Sequence, residues 1–389
     1  MQGQQRIPED ENAAARRAAI EGNEPFLRAF FKRYSDYPEL KKRIDGYMPE
    51  KSEVENARQM ICNSNQFNNW PEYQKFKEAL KDEDSNIAQF EQAADAIVNG
   101  DIPALKGLLN NNPSLIKMRS PRSHHPTLLN YVGANGFEGY RQKTPKNAVE
   151  VADVLLKAGA EVDAMGDMYR GTTTLGLVAT SVHPVITGVQ EELMDILIRH
   201  GADVNRAVAP DYTEGMLILA CLANGRGEPV EYLARHSATL DLEGAGGVGD
   251  LEKVKSYFYA DGSLLDNSLT GKRDKAFIWA CAYGRLNVFE YFLQTGLSPA
   301  TEADGMSALH CAIHGGHLEM VKALIERGAP LETLNAHGGT ALGGALWSAY
   351  NAPMPAHLEI IEMLIAAGAD IKDDWSKYID ELRVQPKSN

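Results

Sequence analysis

One pattern recurs along most of this chain of 389 residues: two apolar segments separated by a turn and closed by Gly-Ala. The clearest copy is SALHCAIHGGHLEMVKALIERGAPLE, which starts at Ser307. Further copies start at Thr127, Thr173 and Thr340, each with a leucine two residues later. A single unit of this kind cannot bury both of its apolar faces, so the pattern predicts units that stack on their neighbours.

The pattern resembles the ankyrin repeat, T-P-L-H-x-A-A…G-H-x-E-V-V-x-L-L-L-x-x-G-A-D-V-N. The resemblance implies an all-α fold: an ankyrin-type helix-turn-helix solenoid with short β-hairpin connections. Leu324 and Leu364 then belong to the buried stripe of the second helix. Gly328 and Gly368 lie just past that helix, where the left-handed conformation favours glycine.

Weaker copies fill the intervals, so we count about eight modules between residues 86 and 373. Only 24 residues separate Gly225 from Gly249, which predicts that this junction has lost its hairpin tip. Residues 1–85 are predicted to be an N-terminal helical region with one divergent repeat. Residues 374–389 are predicted to be a capping helix and tail, because the spacing of four apolar residues gives one helical face. These four residues are Trp375, Tyr378, Ile379 and Leu382.

Composition narrows the classes of function. The net charge of −14 disfavours general binding of nucleic acid. We find no apolar run long enough to cross a membrane and no signal core at the N-terminus. The four cysteines lie far apart in the sequence, which is typical of buried thiols in a reducing compartment. We therefore expect a soluble cytoplasmic protein. Residues 26–43 are basic and aromatic, and are either a solvated helix face or an electrostatic docking patch.

Three histidines, His310, His314 and His317, have the i, i+4, i+7 spacing that a zinc site on one helix would need. In the ankyrin register, however, Gly315 and Gly316 end the first helix, so the shared face does not exist. The resemblance gives His310 structural hydrogen bonds around the turns. We therefore expect no metal, no cofactor and no catalytic residue.

In the family, partner proteins are bound by hairpin tips and by exposed positions of the first helices. The positions in this chain that match, and that we predict to bind a protein partner of unknown identity, are Tyr131, Asn135, Trp279, Tyr283, His314 and Trp347. Exposed Trp and Tyr are enriched at binding hot spots. The alternative is local packing, which we expect first for Trp347, because an insert follows it.

Three modules carry inserts at the same repeat position, namely the first insert (Phe137–Asn147), the second insert (about His183 to Val189) and the third insert (Ala349–Ala356). The first two belong to adjacent modules, so their basic side chains predict a pocket for an anionic group or small molecule. Solvated loop decoration is the alternative. The candidate residues of this pocket are His124, His125, Tyr140, Arg141, His183 and Glu243.

Glu243 occupies the position of the buried signature histidine in the shortened module. Two roles are open for this carboxylate: it accepts backbone hydrogen bonds, or it acts as a general base.

Three hypotheses of function follow. The first is a protein-interaction scaffold that binds a partner in the concave groove and the inserts. The second is an enzyme or small-molecule receptor with a pocket formed by the inserts of the second and third modules. The third makes the N-terminal region a separate effector or regulatory domain. The oligomeric state stays open.

Overall fold

The computed structural model describes residues 7–35, 37, 40, 44, 47–206, 216–372 and 375–384. The chain divides into two compact units, Met1–Leu217 and Ile218–Asn389. Among the described residues, no helix has both the length and the apolar character that crossing a membrane requires. The tail after residue 384 and most of the predicted basic segment beyond residue 35 lie outside the described residues.

Ten α-helices are described in the first unit. They are α1 (Glu9–Glu21), α2 (Glu24–Tyr34), α3 (Glu53–Ser64), α4 (Trp70–Ala79), α5 (Asn86–Asn99), α6 (Ile102–Asn111), α7 (Ala148–Lys157), α8 (Thr174–Thr180), α9 (His183–Thr187) and α10 (Gln190–Arg199). Short 3-10 turns at residues 113–117, 129–133, 139–141 and 168–170 complete the described elements. The second module therefore has a 3-10 turn, Leu129–Gly133, where we expected its first helix.

The turns that follow α1 and α5 have the same geometry. α1 ends at Gly22 with φ of 74°, and α5 ends at Gly100 with φ of 72°. The next residue in each turn donates its N–H back to the preceding helix, Asn23 over 2.7 Å and Asp101 over 2.8 Å. The side chain of each also accepts an N–H of the following helix, which caps it. The two helix pairs are thus joined by turns with the same hydrogen bonds and the same helix cap.

The helices of the second unit are also paired, and the first of them starts at Leu217, the last residue of the first unit. They are α11 (Leu217–Ala223), α12 (Gly227–Arg235), α13 (Leu242–Val248), α14 (Leu251–Lys255), α15 (Thr270–Ala282), α16 (Leu286–Gln294), α17 (Ala308–His314), α18 (Leu318–Glu326), α19 (Ala341–Asn351), α20 (His357–Ala366) and α21 (Trp375–Val384). Strands β1 (Glu302–Ala303) and β2 (Met306–Ser307) form an antiparallel hairpin between α16 and α17. The predicted all-α class with short hairpin connections is confirmed.

The glycine break that decided against a shared histidine face is present. α17 ends at His314, Gly316 has φ of 67°, and α18 begins at Leu318. His317 instead lies at the N-terminal cap of the second helix, and His357 is the first residue of α20. The His357 ring lies 3.3 Å from the carbonyl of Ile313 in the preceding module, so this histidine joins neighbouring modules.

The shortened junction between α12 and α13 contains no described strand, and neither does the junction between α18 and α19. Ser237 stands where other modules have glycine, and it adopts the left-handed conformation with φ of 65°. Asp241 then caps α13 by accepting the N–H of Gly244. A compact loop therefore connects α12 to α13.

Candidate functional site

A cavity of about 750 Å³ lies on the first-helix side of the last two modules of the second unit. It is bounded by the loops before α17 and α19, by those two helices and by the start of α21. Its lining residues are Met306, His310, Ile313, His314, Asn335, His337, Gly338, Gly339, Gly343, Gly344, Trp347, Ser348, Lys372 and Trp375. Its volume is in the range of pockets that bind small ligands or single large side chains.

Two adjacent glycines give the cavity its floor. Thr340 caps α19 by accepting the N–H of Gly343, so Gly343 and Gly344 lie in the first turns of that helix. In the repeat register, Gly343 stands where the preceding module has His310. A Cβ at Gly343 would lie 3.0 Å from the indole of Trp375, whereas a Cβ at Gly344 would lie 3.6 Å from the His310 ring. The missing side chains thus make room for the Trp375 indole and for the cavity.

Trp347 is the most accessible aromatic side chain of this cavity. It is 59% exposed, and His314 on α17 is exposed as well. The expectation that Trp347 packs against the third insert is wrong. α19 continues to Asn351, and the Asn351 side chain donates to the carbonyl of Trp347. The insert therefore starts by extending the helix away from the indole.

His310 is part of the cavity wall and is fixed by its hydrogen bonds. Nε2 lies 3.0 Å from the carbonyl of Gly339, which can only accept, so Nε2 carries the proton. Nδ1 then accepts from the hydroxyl of Ser307 at 2.8 Å. Burial lowers the pKa of His310, although the backbone hydrogen bonds act in the opposite direction. The neutral ring joins two successive turns, as the resemblance implied.

Trp279 and Tyr283 were predicted to be free for a partner, but both are only half-exposed and bonded within the second unit. Trp279 Nε1 donates to Glu243 over 3.4 Å, and the Tyr283 hydroxyl donates to the carbonyl of Leu222 over 2.6 Å. Burial raises the pKa of Tyr283 to about 12. Replacing both residues would therefore remove internal contacts, so their loss is a poor test of partner binding.

Tyr131 and Asn135, the predicted contacts in the first unit, are also occupied. The expectation that Tyr131 is exposed is wrong: it is 1% exposed, with its ring 4.6 Å from that of Phe137. Because the first helix of this module is reduced to a 3-10 turn, the phenol points into the core. Asn135 is half-buried and accepts from the hydroxyl of Tyr169 over 2.6 Å.

The first insert contributes to a buried ionic cluster, which we define as Glu91, Arg122, Glu138 and Arg141. Each of these side chains is at most 8% exposed. Glu91 accepts from both guanidinium groups, over 2.7 Å in each case. Arg122 also contacts Glu138, and Arg141 donates to the half-exposed Asp95 over 2.8 Å. The expectation that Arg141 is open to an external anion is wrong, because carboxylates of the same unit hold it.

Arg122 also connects this cluster to the N-terminal helices. Its guanidinium donates to the carbonyl of Asn65 over 2.6 Å and lies 4.7 Å from the ring centre of Phe76. The hydroxyl of Tyr140, itself 38% exposed, accepts from the same guanidinium over 3.1 Å. One side chain therefore contacts the N-terminal helices, α5 and the first insert.

The two buried carboxylates respond differently to this environment. Burial alone would raise the pKa of Glu91, but Arg122 and Arg141 outweigh it and the pKa is lowered. Glu138 is 0% exposed, and burial raises its pKa in spite of the same two cations. Its Oε2 has no hydrogen-bond partner among the described residues.

The other residues predicted for an anion pocket are dispersed. His125 is exposed and lies 2.8 Å from Asp167, while His124 is half-buried, which lowers its pKa. His183 begins α9 in the second insert. Glu243 belongs to the second unit, in which it is 4% exposed beside Trp279. The two inserts themselves do meet, since the hydroxyl of Thr187 donates to the carbonyl of Thr144 over 3.1 Å.

Sequence reasoning missed the partners in both places. Glu91, Arg122 and Glu138 were not singled out, although Glu138 stands three residues before Arg141, a spacing that permits an ion pair. His337 and Lys372 of the cavity were missed because they lie on loops outside the repeat signature. No group of three potential metal ligands occurs among the residues that the structure describes.

Comparison with known proteins finds a family model that matches part of this chain. The family model described as "Ankyrin repeats (3 copies)" matches residues 245–333 and 277–374. Among the solved structures that match, the human ASB11 ankyrin repeat domain is 18% identical, with a TM-score of 0.38. That alignment covers 72% of this chain and 99% of the other. No curated protein matches this sequence. Residues 245–374 therefore consist of ankyrin repeats.

Proposed function

We propose that this chain is a cytoplasmic protein-interaction scaffold that binds a partner protein in the cavity lined by Trp347 and His314. The observation that carries the proposal is the Trp347 indole, 59% exposed at the edge of a cavity of about 750 Å³. Ankyrin repeats are in general protein-interaction modules. The four cysteines are free thiols, which supports a reducing compartment.

The physical basis is the large apolar area of the indole, which a bound partner buries. An aromatic anchor of this kind contributes on the order of 2 kcal/mol or more when a partner covers it. In the free protein, the exposed Trp347 ring adds little to folding, so its removal separates binding from stability. The half-buried Trp279 and Tyr283 offer no such separation.

The test is affinity capture with the full chain, comparing the wild type with Trp347→Ala and His314→Ala. Partners captured by the wild type are identified by mass spectrometry, and their binding to each variant is then measured with purified protein. We expect Trp347→Ala to weaken binding by about thirtyfold or more with an unchanged melting temperature. His314→Ala should weaken it less.

Ile186→Ala is the matched control, because Ile186 is 76% exposed on α9 in the second insert and does not line the cavity. This control should bind like the wild type. If Trp347→Ala retains full affinity for every captured partner, the cavity is not the docking site. If Ile186→Ala removes binding instead, the inserts are the docking site.

A further inference from the structure

The charges around the first insert do not balance. Three carboxylates, those of Glu91, Asp95 and Glu138, surround two guanidiniums, those of Arg122 and Arg141. With every group ionised, this set carries one negative charge more than its cations neutralise. An excess charge is tolerated where water reaches it and is costly where water does not.

The exposed fraction of each side chain shows which carboxylate the excess charge destabilises most. The Asp95 side chain is 56% exposed, so solvent stabilises its charge. Glu91 Oε1 has no hydrogen-bond partner among the described residues either, but Glu91 Oε2 accepts from two guanidiniums. Glu138 is 0% exposed, its Oε2 has no hydrogen-bond partner among the described residues, and it shares Arg122 with Glu91. Glu138 is therefore the member that gains most from a proton.

Arg141 Nη1 lies 3.9 Å from Glu138 Oε1, too far for a hydrogen bond, and the phenols near Glu138 add no positive charge. The hydroxyl of Tyr131 lies 3.4 Å from Glu138 Oε1 and is itself buried, and Tyr140 bonds to Arg122. Burial also raises the pKa of Tyr131, so it stays a neutral donor. The groups facing Glu138 from α5, from the loop before the 3-10 turn and from the first insert are therefore fixed in charge near neutral pH.

We propose that Glu138 is a proton-binding switch that couples docking of the first insert on α5 to pH. The insert takes up one proton on Glu138 when it closes and releases that proton when it opens. The bond formed is the O–H of a neutral carboxylic acid, and the proton comes from solvent.

The sign follows from linkage. Burial raises the pKa of Glu138 in the closed state above its value in an open insert. The closed state therefore binds the proton more tightly, and acidification favours closure. As the pH rises through the closed-state pKa of Glu138, the insert loses this contribution and opens more often. Glu91 acts in the opposite direction, but only at pH values below its ordinary range.

The first test uses infrared spectroscopy of the full chain during a pH titration. A buried protonated carboxyl gives a carbonyl band separate from the bands of carboxylates. We expect this band to disappear as the pH rises and to be missing from Glu138→Gln at every pH. A wild-type protein without the band overturns the proposal, whether or not the variant folds.

The second test follows hydrogen exchange of peptides from residues 137–147, corrected for the intrinsic pH dependence of exchange. In the wild type, protection should fall by up to about tenfold per pH unit as Glu138 deprotonates. Glu138→Gln, which keeps the neutral form, should stay protected at all pH values. Glu78→Gln is the matched control, because Glu78 is 71% exposed on α4 and lies outside this cluster, and it should behave like the wild type. A Glu138→Gln protein with wild-type pH dependence, or with an insert that exchanges freely at every pH, contradicts the proposal.

Discussion

The two units of this chain place their basic side chains in opposite settings. In the first unit, Arg122 and Arg141 are each 4% exposed and are held by carboxylates of the same unit. In the second unit, Lys372 is exposed at the edge of the cavity, with its ammonium 5.0 Å from the ring centre of Trp375. One arrangement uses charge to hold segments of chain together, and the other leaves it at an accessible surface.

The difference teaches which polar residues can serve a partner. A buried cation whose hydrogen bonds are used internally cannot exchange them for a ligand without a large loss of stability. An exposed side chain beside an indole pays no such cost on binding. Residue type alone does not distinguish the two cases, since Arg141 was predicted to bind an external group and Lys372 was not considered.

The largest expected effect is in the first unit. Arg122→Met leaves the buried Glu91 carboxylate with one guanidinium instead of two and removes the contact to Asn65. We expect it to lower the free energy of unfolding of the first unit by about 3–5 kcal/mol. The matched control is Arg327→Met in the second unit. Arg327 donates to Glu290 over 2.7 and 2.9 Å, but both side chains are well exposed. That change should cost about 1 kcal/mol or less.

Denaturation read through tryptophan assigns each loss to its unit. Trp70 lies in the first unit, whereas Trp279, Trp347 and Trp375 lie in the second. A background that retains only Trp70 reports the first unit directly. Equal losses of unfolding free energy from the two arginine substitutions would show that the ionic cluster stabilises the protein no more than a surface ion pair does. The comparison between the two units would then be wrong.

The repeat units were predictable because their signals are local. Thr or Ser before the first helix, small residues within it and glycine after the second helix each fix a neighbouring turn or contact. Even Asn130, which stands at the position of His310, repeats its role: its amide donates to the carbonyl of Ala164 over 3.2 Å and to Thr174 over 3.1 Å. The sequence alignment of these two residues therefore predicts equivalent bonding.

The environment of the predicted contact residues was not predictable from the same signals. Whether Tyr131 faces solvent depends on the first helix, which shortens to a 3-10 turn in that module. Whether Arg141 is free depends on Glu91, 50 residues earlier in the chain. The accessibility of Trp347 depends on how far α19 extends into the third insert. Each is a contact or helix length that the repeat signature does not encode.

Mild acid should destabilise the second unit more than the first, which is the opposite of the effect expected for the arginine substitutions. Burial lowers the pKa values of His310, His317 and His357 in the second unit. These rings bind protons more weakly when folded, so their stabilisation is present at neutral pH and is lost as the pH falls below about 6.5. In the first unit, the contribution of Glu91 is lost only below the ordinary carboxyl range, and His124 is the described histidine with a lowered pKa.

We therefore expect the second unit to lose stability first as the pH is lowered from 7. Melting curves at a series of pH values, read by Trp70 alone and by the other three tryptophans, measure this order. His310→Gln keeps an amide donor but cannot titrate, so it should reduce the pH dependence of the second unit and leave that of the first unchanged. A first unit that melts earlier in mild acid would contradict the assignment.

The smallest effect tests the floor of the cavity at two neighbouring positions. Alanine is preferred to glycine inside a helix, so Gly344→Ala should stabilise the second unit by about 0.5 kcal/mol. The added methyl group meets only the His310 ring at an ordinary 3.6 Å, so no neighbour has to move.

Gly343→Ala gains the same helix preference but brings its methyl group to 3.0 Å from the Trp375 indole. That close contact should cancel the gain and displace the indole, which the fluorescence spectrum of a protein retaining only Trp375 detects. If both variants are equally stabilised and the spectrum does not change, Trp375 does not lie over Gly343, and the cavity is not closed at this end by α21.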